Sequence, residues 1–243
     1  MATLLGCILL AGLSPANAAL ISGDGDEACF SPLLPGAGPN CTAQNVTLHP
    51  GWQPNNPMGN GAQWISYADT GYLGSTLAVA PGGDVTNSVM QIRESITGVT
   101  AGARLILNVW ADDTADIALR YDDGSGEFTG AQLTTLFAPN FTQDHYCTNG
   151  PIGCEPGEGA RIEYVFTPAD IALAGTGEFY LLFTTFQVGS GTTNHDNPFG
   201  LLYSGQISTV PLPPAFWLFG SGMLGLAACA RRRQSGTACR AHV

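Results

Sequence analysis

Acidic side chains crowd three short stretches of the chain: Asp24, Asp26 and Glu27; then Asp112, Asp113 and Asp116; then Asp122, Asp123 and Glu127. Clustered carboxylates suit calcium, which takes about six to eight oxygens and is often held weakly by loops of exported domains. Asp112, Asp113 and Asp116 share one loop–strand junction, and Asp122, Asp123 and Glu127 share the next turn. These six are the candidate calcium ligands, and calcium is the one cofactor in view. No cluster forms a full D-x-D-x-D-G loop, so the competing reading is a solvated acidic turn in which Asp112 or Asp113 bonds its own backbone. Carboxylate pairs also serve glycosidases, where they stand about 5–10 Å apart across a cleft. No catalytic residue is assigned, because the chain has neither G-x-S-x-G nor H-E-x-x-H. His49, His145 and His195 fall in loops without a partner at metal spacing. Aromatic rings offer a second chemistry, stacking on the apolar faces of sugars. Trp64 and Trp110 read as core, as most aromatics in a sandwich do. Trp52 lies in a loop of Pro, Asn and Gly, so it is expected to be exposed; Trp52 and Tyr72 are the candidate ligand-binding side chains.

The elements that must position these residues are strands. Gln63 to Tyr67, Val89 to Ile96, Arg104 to Trp110, Asp116 to Tyr121, Arg161 to Phe166 and Phe199 to Ile207 are short and rich in branched and aromatic residues, several with period-two alternation. Glu178 to Phe186 is long and mostly apolar, which predicts a central strand. Pro81-Gly82-Gly83-Asp84 and Asp122-Asp123-Gly124 supply turns between runs. Thr167-Pro168-Ala169-Asp170 opens one short helical turn. No run of ten or more residues shows a 3.6 period. Seven or more such strands read as an all-β sandwich.

Composition agrees. Glycine numbers 32 and proline 16, only 11% of residues are charged, and hydrophobic residues make up 44%. That last figure is too high for a disordered chain. The formal charge is −11 and no lysine occurs. Residues 20–207 hold four arginines against all nineteen acidic residues, a net −15. This argues against a nucleic-acid binder, which needs a basic stripe to neutralise phosphates. The same segment holds Cys29, Cys41, Cys147 and Cys154. An even count in an exported chain points to disulfides. Three pairings exist, and Cys29–Cys41 with Cys147–Cys154 is favoured because each pair brackets a short Gly/Pro/Asn-rich stretch.

Both ends read as addresses. An apolar run from Leu4 to Leu13, followed by Ala16-Asn17-Ala18, has the form of a secretory signal peptide handled by the Sec machinery. Cleavage is expected after Ala18, with Ala19 as the alternative. At the other end, Val210-Pro211-Leu212-Pro213-Pro214 precedes an uncharged run from Ala215 to Ala230 and the cluster Arg231-Arg232-Arg233. At about 1.5 Å per residue the run falls slightly short of a ~30 Å hydrocarbon core. The arginines form a stop-transfer cluster that stays cytoplasmic and can snorkel across the shortfall. A plain membrane anchor would look similar.

Residues 208–233 resemble the PEP-CTERM sorting signal in its VPLPA-like variant. In that family the Pro-containing motif is recognised by exosortase, a membrane-embedded cysteine protease-transpeptidase. The resemblance assigns recognition to Val210, Pro211, Leu212 and Pro213. It implies a Gram-negative, exopolysaccharide-producing bacterium, transient inner-membrane anchoring, and transfer to the outer surface or extracellular matrix. Pro214 departs from the small residue usual in the motif, and residues 234–243 form a tail where such proteins normally end. Further back, His49-Pro50-x-Trp52, Gly61-Ala62-Gln63-Trp64-Ile65-Ser66 and Val109-Trp110-Ala111-Asp112-Asp113-Thr114-Ala115-Asp116 are similar to bacterial surface proteins with a galactose-binding-like jelly roll.

The expected plan is a signal peptide (1–18), a Cys-containing segment (19–44), one jelly-roll-like β-sandwich (45–207), a sorting signal with a single transmembrane helix (208–233) and a tail (234–243). The expected function is that of a non-enzymatic exported surface or matrix protein. It would be associated with exopolysaccharide through weak carbohydrate or calcium-dependent binding. A cell-surface glycosidase or lyase, and a purely structural matrix protein, are the alternatives.

Overall fold

The computed structural model describes residues 18–30, 41–72, 74, 89–122, 127–136, 152–175, 178–187 and 198–208. The chain divides into two units, Met1–Thr209 and Val210–Val243, and all described residues lie in the first. The apolar run 4–13, the motif Val210 to Pro213, the run 215–230 and Arg231, Arg232 and Arg233 lie outside the described residues. Among the described residues no helix is long and apolar enough to cross a membrane.

In chain order the strands are β1 (Ala18–Ser22), β2 (Ala28–Phe30), β3 (Cys41–Thr42), β4 (Gln44–Asn45), β5 (Ile65–Ser66), β6 (Val89–Ile96), β7 (Arg104–Asp112), β8 (Thr114–Asp122), β9 (Glu127–Gln132) and β10 (Ala160–Val165). A short helix α1 (Pro168–Ala174) follows, then β11 (Glu178–Phe186) and β12 (Gly200–Ser208). They form two antiparallel sheets. The first runs β10-β7-β12-β5-β4, with β1 also paired to β12; the second runs β3-β2-β6-β11-β8-β9. The long apolar β11 is central, between β6 and β8.

Alternation along the strands builds the core, since successive side chains point to opposite faces. Leu105, Leu107, Val109 and Ala111 of β7 meet Ala115, Ile117, Leu119 and Tyr121 of β8 in one buried cluster with Phe179, Leu181 and Phe183 of β11. Phe183 and Tyr203 stack across the layers, with ring centroids 4.3 Å apart. Burying a side chain of this size contributes about 1.5–3 kcal/mol. On the outer face of the first sheet a second cluster forms from Trp52, Trp64, Cys154 and Leu202, with Trp110 against it. The loop between β4 and β5 roofs this face.

The helix is capped as its sequence requires. Thr167 is the N-cap, Pro168 opens the first turn, and Asp170 completes a capping box. The outer strand β10 carries Arg161 and Glu163, which pair at 2.9 Å, and Glu163 also pairs with Arg104. Charges on an edge strand discourage pairing with another chain.

The segment 19–44 is not a separate lead into the sandwich. It supplies β1 to the first sheet and β2 and β3 to the second. β1 pairs with β12 in a register that sets Ala18 opposite Ser208. The expected cleavage position therefore falls at the first residue of a sheet strand. Cys29 and Cys41 are disulfide-bonded across the β2–β3 pair, with Cα atoms 5.0 Å apart. Cys154 is disulfide-bonded as well; its expected partner, Cys147, lies outside the described residues.

Candidate functional site

The β7–β8 turn places Asp112, Asp113 and Asp116, and the layers decide what they can do. β7 belongs to the first sheet and β8 to the second, so the single residue Asp113 carries the chain between sheets. Asp112 alternates with core-facing Ala111 and shares the outer face of the first sheet with Trp110. Asp116 alternates with Ala115 and Ile117 and lies on the outer face of the second. Asp112 and Asp116, both buried, therefore lie on the outer faces of different sheets, which a linear reading of the sequence cannot display. Among the described residues Asp112, Asp113 and Asp116 do not form a group of three with oxygens within 4.8 Å of one another. The Asp112–Asp113 peptide bond is cis, and Asp113 donates its backbone N–H to Phe186 O at 3.1 Å.

Asp112 is instead an anchor for the roof. Its Oδ2 accepts the indole N–H of Trp52 at 2.7 Å. Burial pushes the Asp112 carboxyl up to about 6, against the hydrogen bonds it makes with Asp113 and Trp52. Trp52 is only 2% exposed and stacks on Trp64 at 4.3 Å between centroids. This corrects the expectation of an exposed Trp52: its ring is spent on packing, and it offers no face to a sugar. Gly200 permits this, because the Trp52 ring lies 3.3 Å from where a Cβ would stand. Tyr72 is half-buried and meets His49 edge-on at 4.9 Å. The His49 Nδ1 accepts the Gly51 N–H at 3.1 Å. Asp123 lies outside the described residues, as do the side chains of Asp122 and Glu127; so do His145 and His195.

A different polar constellation occupies the loop that crosses from β1 to β2. Glu27 is buried, and its Oε1 accepts the Asp24 N–H at 2.8 Å while its Oε2 accepts the Gly25 N–H at 3.1 Å. The fully buried Tyr203 hydroxyl lies 2.9 Å from Glu27 Oε1 and 2.9 Å from Glu94 Oε2. Among the described residues, Asp24, Asp26 and Glu27 are the one group of three acidic side chains with oxygens within 4.8 Å of one another. Both Glu27 oxygens are committed to loop amides and to Tyr203. That leaves the carboxylates of Asp24 and Asp26, both exposed, against the about six to eight oxygens of a calcium shell. No metal is assigned here. Burial and the neighbouring Asp26 and Glu27 raise the Asp24 carboxyl.

Glu94 and Tyr203 are absent from the candidate residues of the sequence, yet a signal exists. Glu94 falls in register with Met90, Ile92 and Ile96, and Tyr203 with Leu201 and Ile207, all core positions. A carboxylate in an inward register marks a buried polar contact. Asp170 is a further buried acid. Its carboxylate accepts the hydroxyls of Tyr121, Tyr164 and Thr167 at 2.8, 3.0 and 2.8 Å and the Thr167 N–H at 2.7 Å. Burial alone would raise it, but these four donors hold it below its ordinary value.

No protein-family model, no curated protein and no solved structure matches the chain.

Proposed function

We propose that the chain is a non-enzymatic exported surface or matrix protein: a jelly-roll-like sandwich with an address at each end, associated outside the cell with exopolysaccharide. The observation that carries this reading is the β1–β12 register, in which Ala18 stands opposite Ser208. The chain's two junctions with its terminal segments leave the sandwich side by side. For a domain first held by an N-terminal signal and then by a C-terminal anchor, that arrangement keeps both attachments at the same end of the sandwich. The Cys29–Cys41 disulfide supports an oxidising compartment. The run of β10, β11 and β12 through alternate sheets supports the jelly-roll reading. Sorting by an exosortase at Val210 to Pro213 and stop-transfer by Arg231 to Arg233 complete the proposal.

The test is binding of the purified protein to the exopolysaccharide of its own host, in calcium and in chelator. Saturable binding supports a matrix-binding module, and its loss in chelator directs attention to the Asp122–Glu127 turn. No binding in either condition removes the ligand class and leaves a structural surface protein.

A further inference from the structure

The Tyr203 hydroxyl has one proton and two carboxyl neighbours at hydrogen-bond distance. It can donate to one of them only. The other must bring a proton of its own to the phenol oxygen, or a buried oxygen pair is left in repulsion. Glu27 already accepts a backbone N–H on each of its two oxygens, so neither is placed to donate to the phenol. The remaining donor is Glu94.

We infer that Glu94 carries its proton in the folded protein and acts as a proton-dependent clasp, tying the β1–β2 crossing loop to both sheets. The chain of donors runs from the Glu94 carboxyl on β6 to Tyr203 Oη on β12, then from the Tyr203 hydroxyl to Glu27. Glu27 in turn receives the loop amides of Asp24 and Gly25. One proton thus joins the second sheet, the first sheet and the loop.

The surroundings oppose ionisation of Glu94. From the loop, Asp24, Asp26 and Glu27 face it, all acidic. Glu27 immediately precedes Ala28, which pairs with Arg93, so it enters beside Glu94. From β12 the group is Tyr203, and the cross-strand neighbour on β11 is the apolar Leu181. Arg93, adjacent on the same strand, turns to the other face, where its guanidinium lies 4.4 Å over the Tyr180 ring. Burial is the largest influence on the Glu94 carboxyl, which stands at about 7; repulsion from Glu27, Asp24 and Asp26 adds to it, and the Tyr203 hydroxyl acts in the opposite sense. When the proton leaves, a single phenolic hydrogen must serve two anions, and the clasp opens at the loop.

The experiment uses the full chain in detergent micelles, unfolded by denaturant from about pH 5 to about pH 8, with amide exchange followed at Asp24 and Gly25. For the wild type, the folding equilibrium is expected to fall with rising pH by on the order of a hundredfold, with protection of the two amides falling alongside. Glu94→Gln, neutral throughout and still a donor, is expected to hold its protection and flatten the profile. A Glu94→Gln profile as steep as the wild type overturns the proposal. Should that variant fail to fold, carboxyl carbon resonances of the wild-type protein decide. A Glu94 resonance titrating near the ordinary glutamate value overturns the clasp, and one titrating close to neutrality supports it.

Discussion

Trp52 donates its indole N–H to Asp112 at 2.7 Å, joining two residues sixty positions apart in the chain. The bond fixes the β4–β5 loop onto the outer face of the first sheet, with Trp52 stacked on Trp64 beneath it. Trp52→Phe removes the donor and leaves a buried carboxyl with one partner fewer. The expected loss is about 2–4 kcal/mol, from the cavity and the unpaired acceptor together. Chemical denaturation measures it. Asp112→Asn leaves the cavity term out and should cost less than Trp52→Phe. An equal or greater cost would show that the carboxyl matters for more than the Trp52 bond.

The strands legible in the sequence are the long ones. Val89–Ile96 and Glu178–Phe186 keep their bounds in the structure because their alternation and apolar content reflect packing against a layer on one or both faces. β1 to β4 are two to five residues long, too short for any period to show. β1 and β2 form because the longer β12 and β6 offer places to pair, and β3 and β4 add to strands that are themselves short. Trp52 misleads for a related reason. A loop of Pro, Asn and Gly reads as surface, and its buried seat exists only once β5, β7 and β12 stand side by side. The Asp112–Asp116 run does not gather its three carboxylates, because proximity along the chain says nothing about a crossing between layers. Glu94 was readable from its inward register, but its partners Tyr203 and Glu27 come from opposite ends of the chain.

Cys29 and Cys41 close a loop with a sequence separation of 12. Closing a loop of that size restricts the unfolded chain by about 3 kcal/mol. The double variant Cys29→Ser/Cys41→Ser is therefore expected to lower the unfolding free energy by about 2–3 kcal/mol. Reductant should lower the wild type by at least as much, since it also opens the bond at Cys154. A non-reduced peptide map that links Cys29 to a cysteine other than Cys41 would overturn the assignment.

Asp170 holds a helix start and two tyrosines at once. Asp170→Ala removes the capping-box acceptor and strands the hydroxyls of Tyr121 and Tyr164. The expected cost is about 2 kcal/mol or more. Its pH sense opposes that of Glu94. The Asp170 carboxyl is lower folded than unfolded, so its contribution is complete above the ordinary aspartate range and fades as pH falls through it. The acid limb of wild-type stability should flatten in Asp170→Asn, while the limb near neutrality stays. If the acid limb is unchanged, the carboxyl is not the group titrating there.

The register of Ala18 against Ser208 bears on processing. A signal peptidase reads an extended chain around its cleavage position, and β1 occupies Ala18–Ser22. Cleavage after Ala18 therefore needs that position outside the β1–β12 pairing. The native exported protein, weighed intact, is expected to begin at Ala19 and to lack residues 215–243. A mass that includes 215–243 removes C-terminal processing, whereas one that includes the residues before Ala18 removes the signal-peptide reading. The two outcomes are independent, so the mass tests each address by itself.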